Sequence, residues 1–264
     1  VLALLEHHLA RCGVEVRTGC TVQTLSQSRG GYVVLFSNAD GADESLRADA
    51  VVCAMGGSAG PQFGTDGFGP RFAAQCGGAL APLYPCLTAL QCAKPDKRLA
   101  GIRAKAHAAL YSGSTLLADY RGEVQFTDYG LSGICIMDLT RHLTPAVKNP
   151  AVELDLFPDV AEDALSALFA ARVPLLPGDT AADFWLGLLN AKLGRALWQA
   201  AGLPDADVHR LSAAQWQKLA HTAKHWRFDG LTPCGWKQAQ VTGGGLALTE
   251  LEPDFQFKGC PGLY

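Results

Sequence analysis

Ala50-Val51-Val52-Cys53-Ala54-Met55-Gly56-Gly57-Ser58-Ala59-Gly60-Pro61 is a short, Val-rich apolar run that stops at a pair of glycines. A buried parallel strand ends this way when its backbone must come close to a bulky ligand. No Lys-Ser/Thr pair follows, so the run is not a P-loop. It is not Gly-x-Gly-x-x-Gly either, and no such fingerprint precedes it. The stretch reads as the secondary part of a dinucleotide site without the primary part, which predicts a piece of an enzyme. The glycines that follow (Gly60, Gly64, Gly67, Gly69) also suit a surface loop with unusual dihedrals. Spacing alone leaves the two readings level.

Working outward, the segment before the run predicts a helix over 1–12, with Leu2, Leu5, Leu9 and Cys12 at helical spacing and Gly13 as the stop. Short strands are expected at 14–17, 21–25 and 32–36, with a turn at Gly30-Gly31 and a polar loop at 38–44. The strand over 46–55 then runs to the glycine pair. Helix, strand, antiparallel excursion and final strand make the second half of a nucleotide-binding α/β unit.

After a short helix over 70–76 the texture changes. Ile102, Ala104, Ala106, Ala108 and Leu110 alternate with Arg103, Lys105 and His107, which means a strand with one wet face. Further strands are predicted at 87–92, 116–120, 123–126, 134–139 and 152–156, with Arg121-Gly122 as a hairpin turn. Three helices follow, over 160–171, 181–200 and 213–225, with Thr180 and Ser212 as N-caps. A strand over 238–242 ends in Gly243-Gly244-Gly245. The fold class is therefore α+β and nested. A partial nucleotide-binding domain (1–80, returning at 251–264) carries an antiparallel β insertion (81–158, returning at 229–250), itself interrupted by a helical group (159–228).

Composition limits the partners. With 264 residues, 48% of them hydrophobic, the chain can build one large or two small cores. A net charge of −3 argues against nucleic acid and against an anionic membrane surface. No apolar run approaches the roughly 20 residues of a membrane helix, and no signal peptide is expected at Val1. The nine cysteines form no Cys-x-x-Cys pair, so a reduced, cytoplasmic protein without a zinc knuckle is expected.

Two further stretches carry chemistry. In Gly122-Glu123-Val124-Gln125-Phe126-Thr127-Asp128-Tyr129-Gly130-Leu131-Ser132-Gly133, a strand leads into a polar turn whose hydroxyls and carboxylate suit a ligand. On its chemistry alone an ordinary hairpin with Asx/ST turns is the better reading. Val241-Thr242-Gly243-Gly244-Gly245 is conformationally costly and points to a close backbone contact. His221 and His225 share a helix face. No Glu follows His221, though, and Lys224 would repel a cation, so no metal is expected. Trp185, Trp198, Trp216 and Trp226 are expected to pack the helical group. Ser58 and Ser132 lack a Gly-x-Ser-x-Gly setting, which argues against a hydrolase.

Taken in order, 54–69, 122–133 and 241–245 resemble bacterial FAD-dependent flavoproteins, the dehydro-bile-acid reductase-like NAD(P)/FAD oxidoreductases. The resemblance runs over essentially the whole chain, and the middle motif carries most of its specificity. It implies an FAD-binding Rossmann-like domain with a large β-barrel and helical insertion. It implies a small-molecule substrate and NAD(P)H as a possible electron donor. The Val22 backbone would lie near the adenine, Ala54, Met55, Gly56 and Gly57 near the pyrophosphate and ribose, and Gly243, Gly244 and Gly245 near the domain junction. Thr127 and Ser132 would face substrate, and Tyr129 is the candidate general acid. Met55 stands where the family usually has threonine. The family's opening Gly-x-Gly-x-x-Gly and closing flavin-lining stretch are not found, so the chain is expected to be an internal fragment that binds no FAD unaided. An FAD-dependent RNA-modifying flavoprotein is the alternative enzyme reading. A substrate-capping or interaction module without cofactor is the alternative from another class.

Overall fold

A computed structural model describes residues 1–204 and 207–264. The fold is α+β, as expected, and divides into two compact units: Val1–Ala54 with Ala247–Tyr264, and Met55–Leu246. Residues 55–80 thus group with the insertion rather than with the outer unit, and residues 247–250 with the outer unit rather than with the insertion.

In the outer unit, α1 (Leu2–Arg11) precedes an antiparallel meander of β1 (Thr21–Ser28), β2 (Gly31–Ser37) and β3 (Asp43–Ala48). Tyr32 and Phe36 are buried on one face of β2, and the Tyr32 hydroxyl donates to the Pro261 carbonyl at 2.9 Å. The strand expected over 46–55 is instead two pieces. β3 ends at Ala48, and after a bend Val51 pairs in parallel with Leu263. Cys53 N–H donates to the Tyr264 carbonyl, and Tyr264 N–H to that of Val51. The antiparallel partner and the parallel partner lie at opposite ends of the run, so one straight strand cannot serve both. Residues 14–17 alternate but find no ladder partner and form no strand.

The inner unit begins with α2 (Phe68–Gln75) and β4 (Leu80–Cys86). Its main sheet collects β5 (Leu90–Gln91), β6 (Arg103–Ser112), β7 (Thr115–Phe126), β8 (Gly130–Ser132), β9 (Pro150–Asp155), β10 (Trp226–Phe228) and β11 (Thr232–Pro233). The order is β10-β9-β6-β7-β8-β5-β11, and every neighbouring pair is antiparallel. Ala106, Ala108 and Leu110 of β6 are buried, as their alternation predicts. β12 (Val241–Leu246) pairs with β4 as a separate ribbon.

Between β8 and β9 lies α3 (Ile134–Leu139), where the sequence suggested a strand. A six-residue apolar run has no period to separate the two states. Cys135, Ile136 and Leu139 are buried against the sheet. This also explains Gly122, which is not a turn residue but sits inside the unbroken β7. A β-carbon there would come within 3.0 Å of Ile134 and 3.1 Å of Cys135. The hairpin turn lies instead at Gly113-Ser114.

The helical group comprises α4 (Glu162–Arg172), α5 (Ala181–Phe184), α6 (Ala191–Ala200) and α7 (Ala213–Lys224). The helix expected over 181–200 is thus broken, at Gly187 with φ +75°, and restarts where the Asn190 side chain accepts from Lys192 N–H. Thr180 and Ser212 each close a capping box, with Asp183 and Gln215. Phe169, Phe184, Trp185, Trp198 and Trp216 form the aromatic centre of this group. Trp226 does not join it: it lies on β10, half-buried, against Phe126 and Phe228.

Candidate functional site

Within the inner unit the two glycine-bearing segments meet, although they lie 184 residues apart in sequence. Oγ1 of Thr242 accepts from Ser58 N–H at 2.8 Å and from Ala59 N–H at 3.0 Å. A β-carbon on Gly57 would fall 2.7 Å from the Thr242 Cβ, so glycine is required there by the clasp itself. The Thr65 hydroxyl donates to the Gly57 carbonyl. Gly69 packs on the Gly56 carbonyl in the same way.

Gly56 differs from Gly57. Its φ is +73°, and the direction of its absent side chain is almost open. Among the described residues, the N–H groups of Met55, Gly56 and Gly57 find no intramolecular acceptor. Three successive amides on a half-exposed strand end fit the acceptors of a phosphate or ribose.

The second glycine segment is a strand interior rather than a strand end. β12 carries Gly243–Gly245, with a bulge between Gly243 and Gly245. Side chains at Gly243 and Gly244 would strike the Tyr84 ring and the Pro82 carbonyl of β4. The close approach inferred from three glycines is therefore made, at two of them, to the neighbouring strand. Gly245 faces open space. In the outer unit, Val22 lies at the β1 bulge opposite Phe36 and Ala54 is exposed.

The turn between β7 and β8 is an ST turn. Thr127 N–H donates to the Gly130 carbonyl at 2.8 Å, and Gly130 N–H donates back to the Thr127 hydroxyl at 2.9 Å. The Thr127 hydroxyl thus serves the turn. The Tyr129 carbonyl accepts from Cys92 N–H, tying the turn to the chain after β5. Burial, and then the neighbouring Cys234, push the Tyr129 phenol above its ordinary value, against a hydrogen bond from Thr127 that pulls it down. Ser132 is half-buried on β8.

Beside this turn opens a cavity of about 550 Å³ that the sequence did not announce. Thr127 and Gly130 line it; Tyr129 and Ser132 do not. Phe126, Trp226 and Phe228 form one wall, with ring centroids 5.0–6.4 Å apart. Arg98 lies across from them, held by both Asp96 oxygens (2.8 and 2.7 Å) and by Gln199 at 2.9 Å. That fork holds the Asp96 carboxyl below the ordinary carboxylate range. Lys94 and Arg227 add positive charge to the lining. Burial pushes the Cys92 thiol up to about 11, so this lining group is no thiolate near neutrality. The cavity is assembled from four segments distant in sequence, of which only the stretch over 122–133 stands out in the sequence as suiting a ligand.

Among the described residues no helix is long and apolar enough to cross a membrane. No disulfide joins any of the nine cysteines.

An antiparallel β domain carrying a helical group, with glycine-bared amides at its neck, is the class of protein seen here. The HI0933-like protein barrel and H2TH domain family matches residues 84–241, and the chain belongs to that family. It is 32% identical over 270 residues to the 3-dehydro-bile acid delta(4,6)-reductase of Clostridium scindens, covering 100% of this chain and 65% of the relative. It is 26% identical to the ribosomal RNA dihydrouridine synthase of Escherichia coli K12, over 83% of this chain and 54% of that protein. The Haemophilus influenzae protein of the same name is 26% identical over 74% of this chain and 47% of its own length. The chain thus spans between about half and two-thirds of these relatives. The expectation of a flavoprotein oxidoreductase family is borne out at that coarser level.

Proposed function

We propose that this chain is part of an FAD-dependent reductase that saturates a carbon–carbon double bond conjugated to a carbonyl group. The observation that carries this reading is the identity with a delta(4,6)-reductase along the entire chain. The names of all three relatives describe the same change: a 3-oxo steroid acid and a uracil ring each lose a double bond next to a carbonyl.

When bound, the flavin supplies the hydride, drawn from NAD(P)H. The amides of Met55, Gly56 and Gly57 would hold acceptors of the FAD diphosphate–ribose portion, with Thr242 fixing the turn behind them. Gly245 would leave its backbone open on the same ribbon. Tyr129, whose phenol stays protonated to high pH, sits on the turn beside the cavity without lining it, and would donate a proton to the enolate carbon of a substrate that extends from the cavity past that turn. Thr127 positions that turn, and Ser132 would face the substrate.

The cavity suits a small molecule. Phe126, Trp226 and Phe228 offer an apolar wall to a ring system, while Lys94 suits an acidic group on it. A second reading is favoured by the two RNA-directed relatives. The same aromatic wall and cationic rim would stack a flipped uracil. The net charge of −3 favours the small molecule. The spacing of its nine cysteines, with no Cys-x-x-Cys pair, supports a cytoplasmic setting.

The test is turnover of the natural polypeptide containing this chain, loaded with FAD and reduced anaerobically with NADH or NADPH. Reoxidation of the visible flavin band by a 3-oxo-Δ4 steroid acid, slowed roughly 10²-fold or more in Tyr129→Phe, is expected. Reoxidation only by a uridine-containing RNA would transfer the chain to the second reading. A protein that takes up no flavin would refute both.

A further inference from the structure

We propose that His221, His225 and Glu162 form a binding site for a divalent transition-metal ion, zinc foremost, with Glu153 orienting His225. The site pins α7 to α4 and stands apart from the cavity and the glycine clasp.

The argument starts from helix geometry. His221 and His225 are four residues apart at the end of α7, so they share a face, and their ring centroids lie 4.7 Å apart. Opposite them stands Glu162, the first residue of α4, and beside His225 stands Glu153 of β9. Oε1 of Glu162 lies 3.1 Å from Nδ1 of His221, and its Oε2 lies 3.3 Å from Nε2 of His225. One ligand atom from each of His221, His225 and Glu162 lies within 4.8 Å of the other two. Tetrahedral ligands about 2.0–2.1 Å from a zinc ion stand roughly 3.3 Å apart.

The decisive contact is on the other side of His225. Its Nδ1 lies 2.9 Å from Oε1 of Glu153. A neutral imidazole has one N–H. Donated to Glu153, it leaves the Nε2 lone pair facing a carboxylate oxygen of Glu162. Two acceptors at that distance repel unless a proton or a metal ion lies between them, and a metal ion there would also engage His221. A carboxylate holding the far nitrogen of a histidine is also the arrangement that orients metal-bound imidazoles.

Charge points the same way. With both imidazoles neutral, the four side chains carry two negative charges. Lys224, the neighbour that argued against a metal in the sequence, does not answer them. Its ammonium is held by Asp155 at 2.7 Å and by the carbonyls of Phe157 and Val160 at 2.9 and 2.7 Å. Arg227 sits opposite Glu153 in the β9–β10 ladder, but its guanidinium engages Asp229 and lies over the Tyr111 ring. The C-terminal end of α7 adds its own negative pole beside the histidines. Two nitrogens and a carboxylate oxygen, with room for water at the exposed fourth position, are a borderline donor set that suits zinc.

The test is titration of metal-stripped 264-residue protein with cobalt(II) chloride, followed by displacement with zinc chloride. Binding of about one cobalt ion per chain, with visible bands of a nitrogen–oxygen tetrahedral site, is expected. His221→Ala/His225→Ala should abolish it, and Glu162→Gln should weaken it severely. Glu153→Gln should weaken it by about 10- to 100-fold. Both histidines are at least partly exposed, so the variants should fold; His221→Gln, at the more exposed position, is the check. Binding that survives the double variant, a cobalt–thiolate charge-transfer band from the cysteines, or no binding at micromolar metal would each overturn the proposal.

Discussion

The α6 and α1 helices have the same length and similar leucine spacing, yet they end in opposite environments. Leu193 and Leu197 of α6 are fully buried, whereas no residue of α1 is buried and Leu2 and Leu5 are more than half exposed. Helical periodicity creates an apolar stripe in both; only in α6 do neighbouring helices cover it. Stability therefore concentrates in residues 55–246. The outer unit relies on the Tyr32–Phe36 face and the short parallel pairing at Val51.

That contrast can be broken or sharpened by substitution. The largest effect is expected for Phe184→Ala in the helical group. Its ring stacks on Trp216 at 5.0 Å and meets Trp185 at 4.9 Å, so its loss should cost about 3–5 kcal/mol in urea denaturation. Next comes Thr242→Val, which keeps shape but strands two amide donors. We expect a loss of about 1–3 kcal/mol, with faster hydrogen exchange at Ser58 and Ala59. Ser212→Ala, which opens the capping box of α7, should cost about 1 kcal/mol. Leu5→Ala in α1 should change stability by less than about 0.5 kcal/mol. A cost of several kcal/mol there would show that α1 is covered in solution.

Thiol chemistry probes the same contrast without mutation. Cys12 is exposed, whereas burial raises Cys92 and Cys135 to about 11. In iodoacetamide mapping by mass spectrometry, Cys12 should react first. Cys92 and Cys135 should lag, their rates still climbing as pH rises through about 11. The sign for stability follows. An unfolded thiol ionises near 9, before the buried one does, so these two groups leave stability unchanged below that pH and lower it from there to about 11.

The parts legible in the sequence were those with a local cause. The wet and dry faces of β6 and the N-caps at Thr180 and Ser212 follow from a few adjacent residues. What was misread had a distant cause. Gly122 looks like a turn residue, but it is small because α3 lies on it. Residues 134–139 carry no period, so only tertiary packing decides for a helix. Trp226 was grouped with the other tryptophans by proximity in sequence, yet a strand carries it to Phe126, and with it the cavity wall. The carboxylates beside His221 and His225 come from α4 and β9, some 60 to 70 residues away, so the local sequence shows the two histidines without them.

The hydroxyl of Thr242 has a further consequence. It joins the stretch where the chain enters residues 55–246 to the stretch where it leaves them, and Gly60 N–H reinforces the seam through the Trp236 carbonyl at 2.9 Å. A module whose two ends are neighbours can be lifted out, re-spliced or circularly permuted with little rearrangement. Such a cassette can be exchanged among hosts while the surrounding polypeptide keeps its path.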